Sequence, residues 1–438
     1  MFWRLRILAF YVILGFFVIT FFVFCCVPMH FLNANYNIRY KVAESFSYIF
    51  IFLAKFLCGI RYEVIGIEKL PKDGKPYITL ANHQSFWENL FMQLIIPKHS
   101  WVIKKELFDI PIFGWCLRTV TPIAVDRSNS RSVLQILNEG QKKIEDGLSI
   151  IMFPEATRVK IDKNVKFKSS AAKLAMNVNV PIVLIVHNAG VYWPKGFWFK
   201  KSGLISVKIL EVISVKKYKD HDVRTLTDYI QERINKEKEI LVKEVHHRVK
   251  NNLQVISSIL SLQSSYTKNK QTIELLKEIQ NRVKSMAFIH ESLYQSKDLT
   301  QINFSEYIST LSTNLLHSYI TKEKEIDLKI DAPRLYLSLD QSIPCGLIVN
   351  ELVSNSFKYA FEKRKKGLVK IVVKEVKNEI RIVISDDGIG LPKSIDYKNT
   401  ESLGLQLVTA LAEQLSGKIK LSRTGGTKYT LTFLKNTK

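Results

Sequence analysis

The spacing of apolar and polar positions divides this 438-residue chain into stretches with different periodicities. Between residues 60 and 215, short apolar runs such as "PYITLA", "LSIIMF" and "VPIVLIVHN" alternate with helical stretches. Strands that alternate with helices predict a mainly parallel α/β sheet.

From residue 223 onward, apolar residues recur every three or four positions, which is typical of one long amphipathic helix. A second helix is predicted at 271–295, and from about residue 300 helices alternate with strand-like runs such as "IRIVISD". The positions that define the first helix are Leu226, Ile230, Ile234, Leu241, Val245, Val249, Leu253, Ile256 and Leu260.

The N-terminal stretch is almost entirely apolar. Residues 7–27, "ILAFYVILGFFVITFFVFCCV", match the roughly 20 residues that one bilayer crossing needs. Arg4 and Arg6 precede it, which predicts a cytoplasmic N-terminus. A second apolar stretch, 46–60, is short and contains Lys55, so it fits a re-entrant or interfacial helix. We expect residues 1–60 to form a membrane anchor, either spanning or monotopic.

The net charge of +24 makes anionic membrane surfaces and phosphorylated substrates candidate partners. Lysine that is merely abundant throughout is the alternative explanation. No nucleic-acid-binding motif is recognised, so we expect no nucleic-acid partner. The cysteines lack metal-like spacing and indicate a reducing compartment; they are Cys25, Cys26, Cys58, Cys116 and Cys345.

Two polar motifs follow strands of the predicted sheet. "NHQSFWE" contains His83 and Glu88, and "FPEATR" ends at Arg158. A histidine held by a carboxylate can remove a proton from a hydroxyl, and an arginine can bind phosphate through two hydrogen bonds. A plainer alternative exists for Glu88, because residues 85–88 also form a capping box that closes a helix N-terminus. The catalytic interpretation therefore requires His83 to lie in non-helical backbone before the cap.

With "KKELFDIPIFG" and "VPIV", these motifs resemble the glycerolipid acyltransferase family, which includes lysophosphatidic acid acyltransferases, across roughly residues 50–215. The resemblance implies an α/β acyltransferase domain in which His83 is the general base and Glu88 orients it. It also implies that Glu155 and Arg158, assisted by Arg127, bind the substrate phosphate. Lysophosphatidic acid is the implied acceptor, and an acyl-CoA or acyl carrier protein thioester is the implied donor.

Two positions depart from the family pattern. Glu88 replaces the commoner Asp and keeps the carboxylate. Ala156 replaces a Gly and adds a methyl group where backbone freedom is expected to matter.

The long helix contains two adjacent histidines in "KEVHHRVKNNLQVISSIL". At about 100° per residue, His247 points away from the apolar stripe and His246 lies at its flank. A phosphate-accepting histidine must be accessible, so the geometry favours His247.

The last part of the chain carries four motifs in order. "IPCGLIVNELVSNSFKYAF" places Glu351, Asn355 and Lys358 on one helix face, where a carboxylate, an amide and an ammonium group can serve Mg²⁺ and phosphate. In "SDDGIGLP", Asp386 can accept a hydrogen bond from adenine. "ESLGLQLV" opens a helix whose N-terminus favours phosphate, and "GGTKYTLTF" is a glycine-rich turn into a strand.

From about residue 240 onward, these motifs resemble a sensor histidine kinase core. An HWE-related phosphoacceptor helix, with His247 as the acceptor, precedes a GHKL ATPase domain, an α/β sandwich of Bergerat type. The resemblance implies Mg²⁺ at Asn355, a helical hairpin that forms a homodimer, and a response regulator partner. The implied ATP-binding residues are Glu351, Asn355, Lys358, Asp386, Gly388, Gly390, Gly404, Gly426 and Thr427.

Taken together, the sequence predicts a membrane anchor (1–60), an acyltransferase domain (61–222), a connecting helix with the phosphoacceptor hairpin (223–298) and an ATPase domain (299–438). Because ATP is cytoplasmic, both domains should face the cytoplasm from the inner membrane. We predict a bifunctional enzyme. The alternatives are a kinase that uses the acyltransferase-like domain as a lipid sensor, and an acyltransferase regulated by a non-phosphorylating ATP-binding module.

Overall fold

The computed structural model describes residues 2–126, 131–160, 163–196, 200–295, 301–319, 325–362, 364–392, 395–396 and 402–436. Its contacts divide the chain into two compact units, Met1–Val242 and Lys243–Lys438. Each unit builds its own apolar core.

The first unit begins with a helical hairpin. Helix α1 (Phe2–Phe21) continues through a π-helical turn (Phe22–Cys26) into α2 (Val27–Phe31), and α3 (Tyr36–Cys58) returns alongside it. The stretch Leu5–Met29 is long and apolar enough to cross a membrane.

The second apolar stretch of the sequence is not a separate short helix, because it forms the C-terminal part of the 23-residue α3. One face of α3 is buried and contributes Phe50 and Ala54 to the core beneath it, whereas Phe52 and Phe56 are exposed. The hairpin is held by aromatic contacts: the rings of Phe17 and Phe46 stack with centroids 5.3 Å apart. Helix α3 thus has one packed face and one exposed apolar face.

A seven-stranded sheet forms the centre of the first unit, in the order β1-β7-β6-β2-β5-β3-β4. All neighbouring strands are parallel except β6 and β7, which confirms the mainly parallel sheet predicted from the sequence. The strands are β1 (Ile60–Ile65), β2 (Ile78–Ala81), β3 (His99–Lys104), β4 (Ile123–Val125), β5 (Ser149–Met152), β6 (Ile182–His187) and β7 (Gly203–Ile213).

Helices cover both faces of this sheet, which explains why its central strands are continuous apolar runs. All six residues of β6 are buried, with Leu184 in the core on one face and Val183 and Ile185 in the core on the other. The remaining helices of the unit are α4 (Trp87–Ile95), α5 (Phe113–Thr119), α6 (Ser132–Glu145), α7 (Ser170–Val178), α8 (Ala189–Tyr192), α9 (Val215–Tyr218) and the 3-10 turns Ile67–Lys69 and Lys105–Asp109.

Helix α10 (Val223–Tyr266) is one uninterrupted helix of 44 residues, as predicted. Its first part belongs to the first unit, because Leu226, Ile230 and Ile234 are buried in the core beneath the sheet. Beyond residue 243 it belongs to the second unit, where Val255 and Ile259 are more than half exposed.

The second unit continues with α11 (Lys270–Gln295) and then a five-stranded sheet in the order β13-β14-β12-β11-β9. A small antiparallel pair, β8 and β10, stands apart from it. The strands are β8 (Gln301–Asn303), β9 (Glu325–Asp331), β10 (Tyr336–Ser338), β11 (Lys366–Val376), β12 (Glu379–Asp386), β13 (Lys418–Ser422) and β14 (Thr427–Leu434).

A layer of helices packs on this sheet and forms the predicted α/β sandwich. The helices are α12 (Phe304–Tyr319), α13 (Leu339–Asn355), which a π-helical turn (Ser356–Ala360) extends, and α14 (Leu403–Gln414). Helix α13 packs against α11, α12 and α14. Through α13 the sandwich therefore contacts α11, which follows α10 in the predicted phosphoacceptor hairpin.

Candidate active sites in the two units

The loop between β2 and α4 presents His83 at the carboxyl end of a central strand, in non-helical backbone as the catalytic interpretation requires. The preceding Asn82 ties this loop to strand β6. Its Nδ2 donates to the carbonyl of His187 at 2.9 Å, and its Oδ1 accepts from the N–H of His187 at 3.0 Å. Since β2 and β6 are adjacent and parallel, their ends meet at the edge where α/β sheets bind ligands.

Glu88 holds the His83 ring. Its Oε1 lies 2.9 Å from Nδ1 of His83, and the carboxylate is buried while the His83 side chain is 17% exposed. A carboxylate only accepts, so Nδ1 carries the proton and Nε2 is the basic nitrogen. This is the tautomer that a general base for a hydroxyl group needs.

The same oxygen of Glu88 also closes helix α4. It accepts from the backbone N–H groups of Gln84 at 2.9 Å and Ser85 at 2.8 Å, and Ser85 Oγ accepts from the N–H of Trp87 at 3.0 Å. One carboxylate oxygen therefore makes the contacts that both interpretations of Glu88 require, and its catalytic role stays a prediction. Burial alone would raise the pKa of Glu88, but nearby His187 and the hydrogen bond from His83 outweigh it and hold that pKa below its usual range.

The "FPEATR" loop after β5 also contacts His83. Glu155 Oε2 accepts from the backbone N–H of His83 at 2.6 Å, and the N–H of Val159 donates to the His83 carbonyl at 2.8 Å. The ring of Phe153 stacks on the His83 ring with centroids 4.1 Å apart. This loop thus contacts both the backbone and the ring of His83.

Glu155, expected from the resemblance to bind substrate phosphate, is buried and uses its carboxylate on the His83 loop. Burial raises the pKa of Glu155 from 4.5 to about 7. Its role in phosphate binding stays a prediction, and the geometry gives it a positioning role instead.

Of the two arginines predicted to bind the substrate phosphate, the structure describes one. Arg158 is exposed at the end of the loop, whereas Arg127 lies outside the described residues. Lys200, which the sequence reasoning missed, is buried beside the Trp193 ring, and burial together with the like charge of Arg158 lowers its pKa to about 8. Two cations thus lie near each other at this edge of the sheet.

His187 was also missed. It is fully buried, and its Nδ1 accepts from the N–H of Ala189 at 3.3 Å. Among the described residues, neither its Nε2 nor Oε2 of Glu88 has a hydrogen-bond partner. The signal in the sequence was the polar His-Asn pair that ends the apolar run "VPIVLIVHN".

In the second unit the two histidines of α10 differ as predicted. His247 is exposed, whereas His246 is 8% exposed. Asn251, one turn further on, donates from Nδ2 to Nδ1 of His247 at 3.3 Å. Accessibility therefore favours His247 as the residue that a phosphoryl group can reach.

Asp386 is held at the end of β12. Its Oδ2 accepts from Ser356 Oγ at 2.8 Å, and its Oδ1 accepts from the N–H groups of Gly388 at 3.1 Å and Thr427 at 3.2 Å. Gly426 turns beside it with φ of +118°, and an added Cβ there would lie 2.0 Å from the Asp386 carbonyl. The predicted adenine-binding and glycine-rich motifs therefore lie side by side, with Gly390 also approaching Gly426.

The charged residues of the α13 motif are engaged by the hairpin helix α11. Arg282 forms a bidentate pair with Glu351, Nε to Oε1 at 2.5 Å and Nη2 to Oε2 at 2.7 Å. Lys358, in the π-helical turn, pairs with Glu278. Asn355 between them is half-buried, and its amide oxygen suits one position of a hydrated Mg²⁺ shell. The sequence reasoning missed Arg282 and Glu278.

Comparisons with known proteins find matches to both parts of the chain. Sequence models match an acyltransferase domain at residues 61–188, a histidine kinase domain at 244–319, and a histidine kinase-, DNA gyrase B- and HSP90-like ATPase domain at 340–437.

Among similar proteins, a 1-acyl-sn-glycerol-3-phosphate acyltransferase of Pseudomonas aeruginosa is 39% identical over 176 residues, 40% of this chain and 68% of the relative. The sensor histidine kinase PdtaS of Mycobacterium tuberculosis is 32% identical over 198 residues, 44% of this chain and 39% of that kinase. The crystal structure of the acyltransferase PlsC from Thermotoga maritima aligns at 25% identity with a TM-score of 0.45, over 54% of this chain and 95% of that one.

The chain therefore belongs to the 1-acylglycerol-3-phosphate acyltransferase family through its N-terminal part, and its C-terminal part carries the two domains of a histidine kinase. It joins an acyltransferase and a histidine kinase in one polypeptide.

The backbone at Ala156 adopts a conformation that favours glycine. Its φ of +59° is the left-handed region, where a methyl group costs about 1–2 kcal/mol and the family's Gly costs nothing sterically. Ala156→Gly should therefore raise the free energy of unfolding by up to about 1 kcal/mol, after the greater flexibility of unfolded Gly is deducted. The thermal midpoint of the purified protein should rise with it. Ala172→Gly, in helix α7, is the matched control and should lower the midpoint; a lower midpoint for Ala156→Gly would contradict the argument.

Glu155 generates a pH prediction. Because its folded pKa is raised from 4.5 to about 7, its contribution to stability is complete below pH 4.5 and is lost as the pH rises through about 7. Glu155→Gln has no such loss, so the midpoint of the variant minus that of the wild type should increase from pH 5 to pH 8.

A difference measurement is needed because His99 titrates in the opposite sense. Burial lowers the pKa of His99 to about 4, so its contribution is present above pH 6.5 and is lost as the pH falls. His99 is common to both proteins and cancels in the difference. A midpoint difference that stays constant with pH would show that Glu155 does not titrate in this range.

Proposed function

We propose that the first unit transfers an acyl group from an acyl-CoA or acyl carrier protein thioester to lysophosphatidic acid, and that the second unit autophosphorylates His247 with ATP. The observation that supports the first activity is the hydrogen bond between Nδ1 of the partly exposed His83 and an oxygen of the buried Glu88 carboxylate. The likeness of the N-terminal part to 1-acyl-sn-glycerol-3-phosphate acyltransferases supports the choice of substrate.

In the acyl transfer, Nε2 of His83 removes the proton from the glycerol hydroxyl as its oxygen attacks the thioester carbonyl. The C–S bond then breaks, and the leaving thiolate takes the proton from the imidazolium. Glu88 stabilises the imidazolium that forms between these steps, because its negative charge lies 2.9 Å away in a buried site. Arg158, with Arg127, binds the phosphate of the acceptor, and the lysophosphatidate chain stays in the membrane.

In the kinase reaction, a ring nitrogen of His247 attacks the γ-phosphoryl group and ADP leaves. Asp386 binds the adenine. Asn355 would hold Mg²⁺ through its amide oxygen, and the bound ion would neutralise phosphate charge. Gly404 and Thr427 line the predicted phosphate and adenine sides of the site, and Gly388 permits close approach of backbone.

The exposed apolar face of α10, which includes Val255, Ile256, Ile259 and Leu262, supports a homodimer. Two hairpins that pack into a four-helix bundle would bury this face. The phosphoryl group then passes to a response regulator. The apolar hairpin at the N-terminus supports attachment to the inner membrane with both catalytic units on the cytoplasmic side.

The acyltransferase prediction uses the full-length protein in phospholipid nanodiscs. His83→Ala should reduce acylation of lysophosphatidate by roughly 100-fold to 10,000-fold, the usual contribution of a general base. Glu88→Gln keeps the shape but removes the charge, so a smaller loss is expected. His221→Ala changes an exposed histidine of the same unit and should leave the rate unchanged. Binding of lysophosphatidate without any turnover by the wild type would instead support the lipid-sensor alternative.

The kinase prediction uses the same preparation with Mg²⁺ and γ-labelled ATP. The wild type and His246→Gln should acquire acid-labile label, and His247→Gln should acquire none, because only the exposed histidine can reach the nucleotide. His317→Gln, another exposed histidine of this unit, is the control. Label that disappears in His246→Gln and persists in His247→Gln would reverse the assignment. ATP binding without any label would support the regulatory-module alternative.

A further inference from the structure

Two residues of the hairpin helix α11 form ion pairs with the predicted ATP-binding motif of α13. Arg282 pairs with Glu351 through two parallel hydrogen bonds, and Glu278 pairs with Lys358. Oε2 of Glu278 also lies 3.9 Å from Nη2 of Arg282. The four side chains therefore alternate in charge. The predicted nucleotide site is therefore built from two elements, of which the sequence indicated only one.

The Arg282–Glu351 pair is nearly buried. The side chains are 13% and 6% exposed, and the hydrogen bonds are short. A buried carboxylate is stable only when it is paired, and Arg282 provides that pairing for Glu351. Hydrogen bonding to Glu351 raises the pKa of Arg282 above its already high value, and the guanidinium stays charged.

This pair lies against the turn where the sequence places nucleotide phosphate. A Cβ added to Gly404, in the first turn of α14, would lie 2.7 Å from Oε2 of Glu351 and 3.6 Å from Nη2 of Arg282. An unpaired carboxylate in this position would repel the phosphates of ATP. The pairing with Glu351 uses two of the five guanidinium N–H donors, which leaves donors for an anion.

We propose that Arg282 is an ATP-site residue supplied by the phosphoacceptor hairpin: it neutralises Glu351 beside the phosphate-binding turn and donates hydrogen bonds to the terminal phosphates. This inference rests on the proposed ATP-dependent function of the second unit. It makes nucleotide binding depend on a helix outside the ATPase domain, so the hairpin and the nucleotide stabilise each other's position.

The test measures dissociation constants of the full-length protein in nanodiscs, with Mg²⁺, for ATP, ADP and adenosine. Arg282→Gln should weaken ATP binding about 10-fold or more, because a charge-assisted hydrogen bond to phosphate and the compensation of Glu351 are both lost. ADP should be weakened less, and adenosine, which has no phosphate, should bind as to the wild type. Arg282→Lys keeps the charge and should recover part of the loss.

Lys277→Gln is the matched control, since it removes an exposed cation from the same helix and should change no constant. Equal weakening of all three ligands by Arg282→Gln would show a merely structural role and overturn the proposal, as would unchanged ATP affinity. A wild-type protein that binds none of the three would instead refute the proposed ATP-dependent function.

Discussion

Oxygen Oε1 of Glu88 is the atom on which the acyltransferase site depends. It accepts hydrogen bonds from the His83 ring and from two backbone N–H groups at the start of α4. These donors come from the consecutive residues 83, 84 and 85, so one buried oxygen fixes both the His83 ring and the backbone that leads into α4. The contact of a capping residue and the contact of a residue that orients a histidine are made by the same atom, which explains why the sequence alone could not separate them.

The second unit also contains a buried carboxylate that accepts several hydrogen bonds. The buried carboxylate of Asp386 ends strand β12. It accepts from Gly388 in the turn that follows, and from Ser356 and Thr427 in two other segments. A carboxylate with several fixed donors is ordered before any ligand arrives, so less ordering has to accompany binding. In each unit, a buried carboxylate near the end of a strand thus accepts hydrogen bonds from the backbone N–H groups around it.

The sequence predicted the elements well wherever the signal is local. The alternating strands and the uninterrupted α10 follow from spacing within a few residues. The pairing of His83 with Glu88 was implied by the resemblance of short motifs, because their spacing alone left the capping alternative open. The remaining features depend on contacts between distant positions: Glu155 binds the backbone of His83, and Arg282 binds Glu351. No periodicity encodes such contacts. The resemblance therefore suggested a ligand-binding role for Glu155, and nothing in the sequence gave a role to Arg282.

Helix α10 is tied to the acyltransferase loop as well as to the sheet. Lys238 is buried and donates from Nζ to the Lys163 carbonyl at 3.1 Å and to Asn164 Oδ1 at 2.6 Å, just after the "FPEATR" motif. Gln231 accepts from the N–H of Phe167 at 2.8 Å in the same loop.

Burial raises the pKa of Glu155, and the Lys238 ammonium opposes that rise, so the helix also contributes to the electrostatics of the His83 loop. His247 lies a few turns further along the same helix. The hydrogen bonds of Lys238 and Gln231 therefore join the N-terminal part of α10 to the residues that follow the "FPEATR" motif, so the conformation of this loop and the placement of the helix depend on each other.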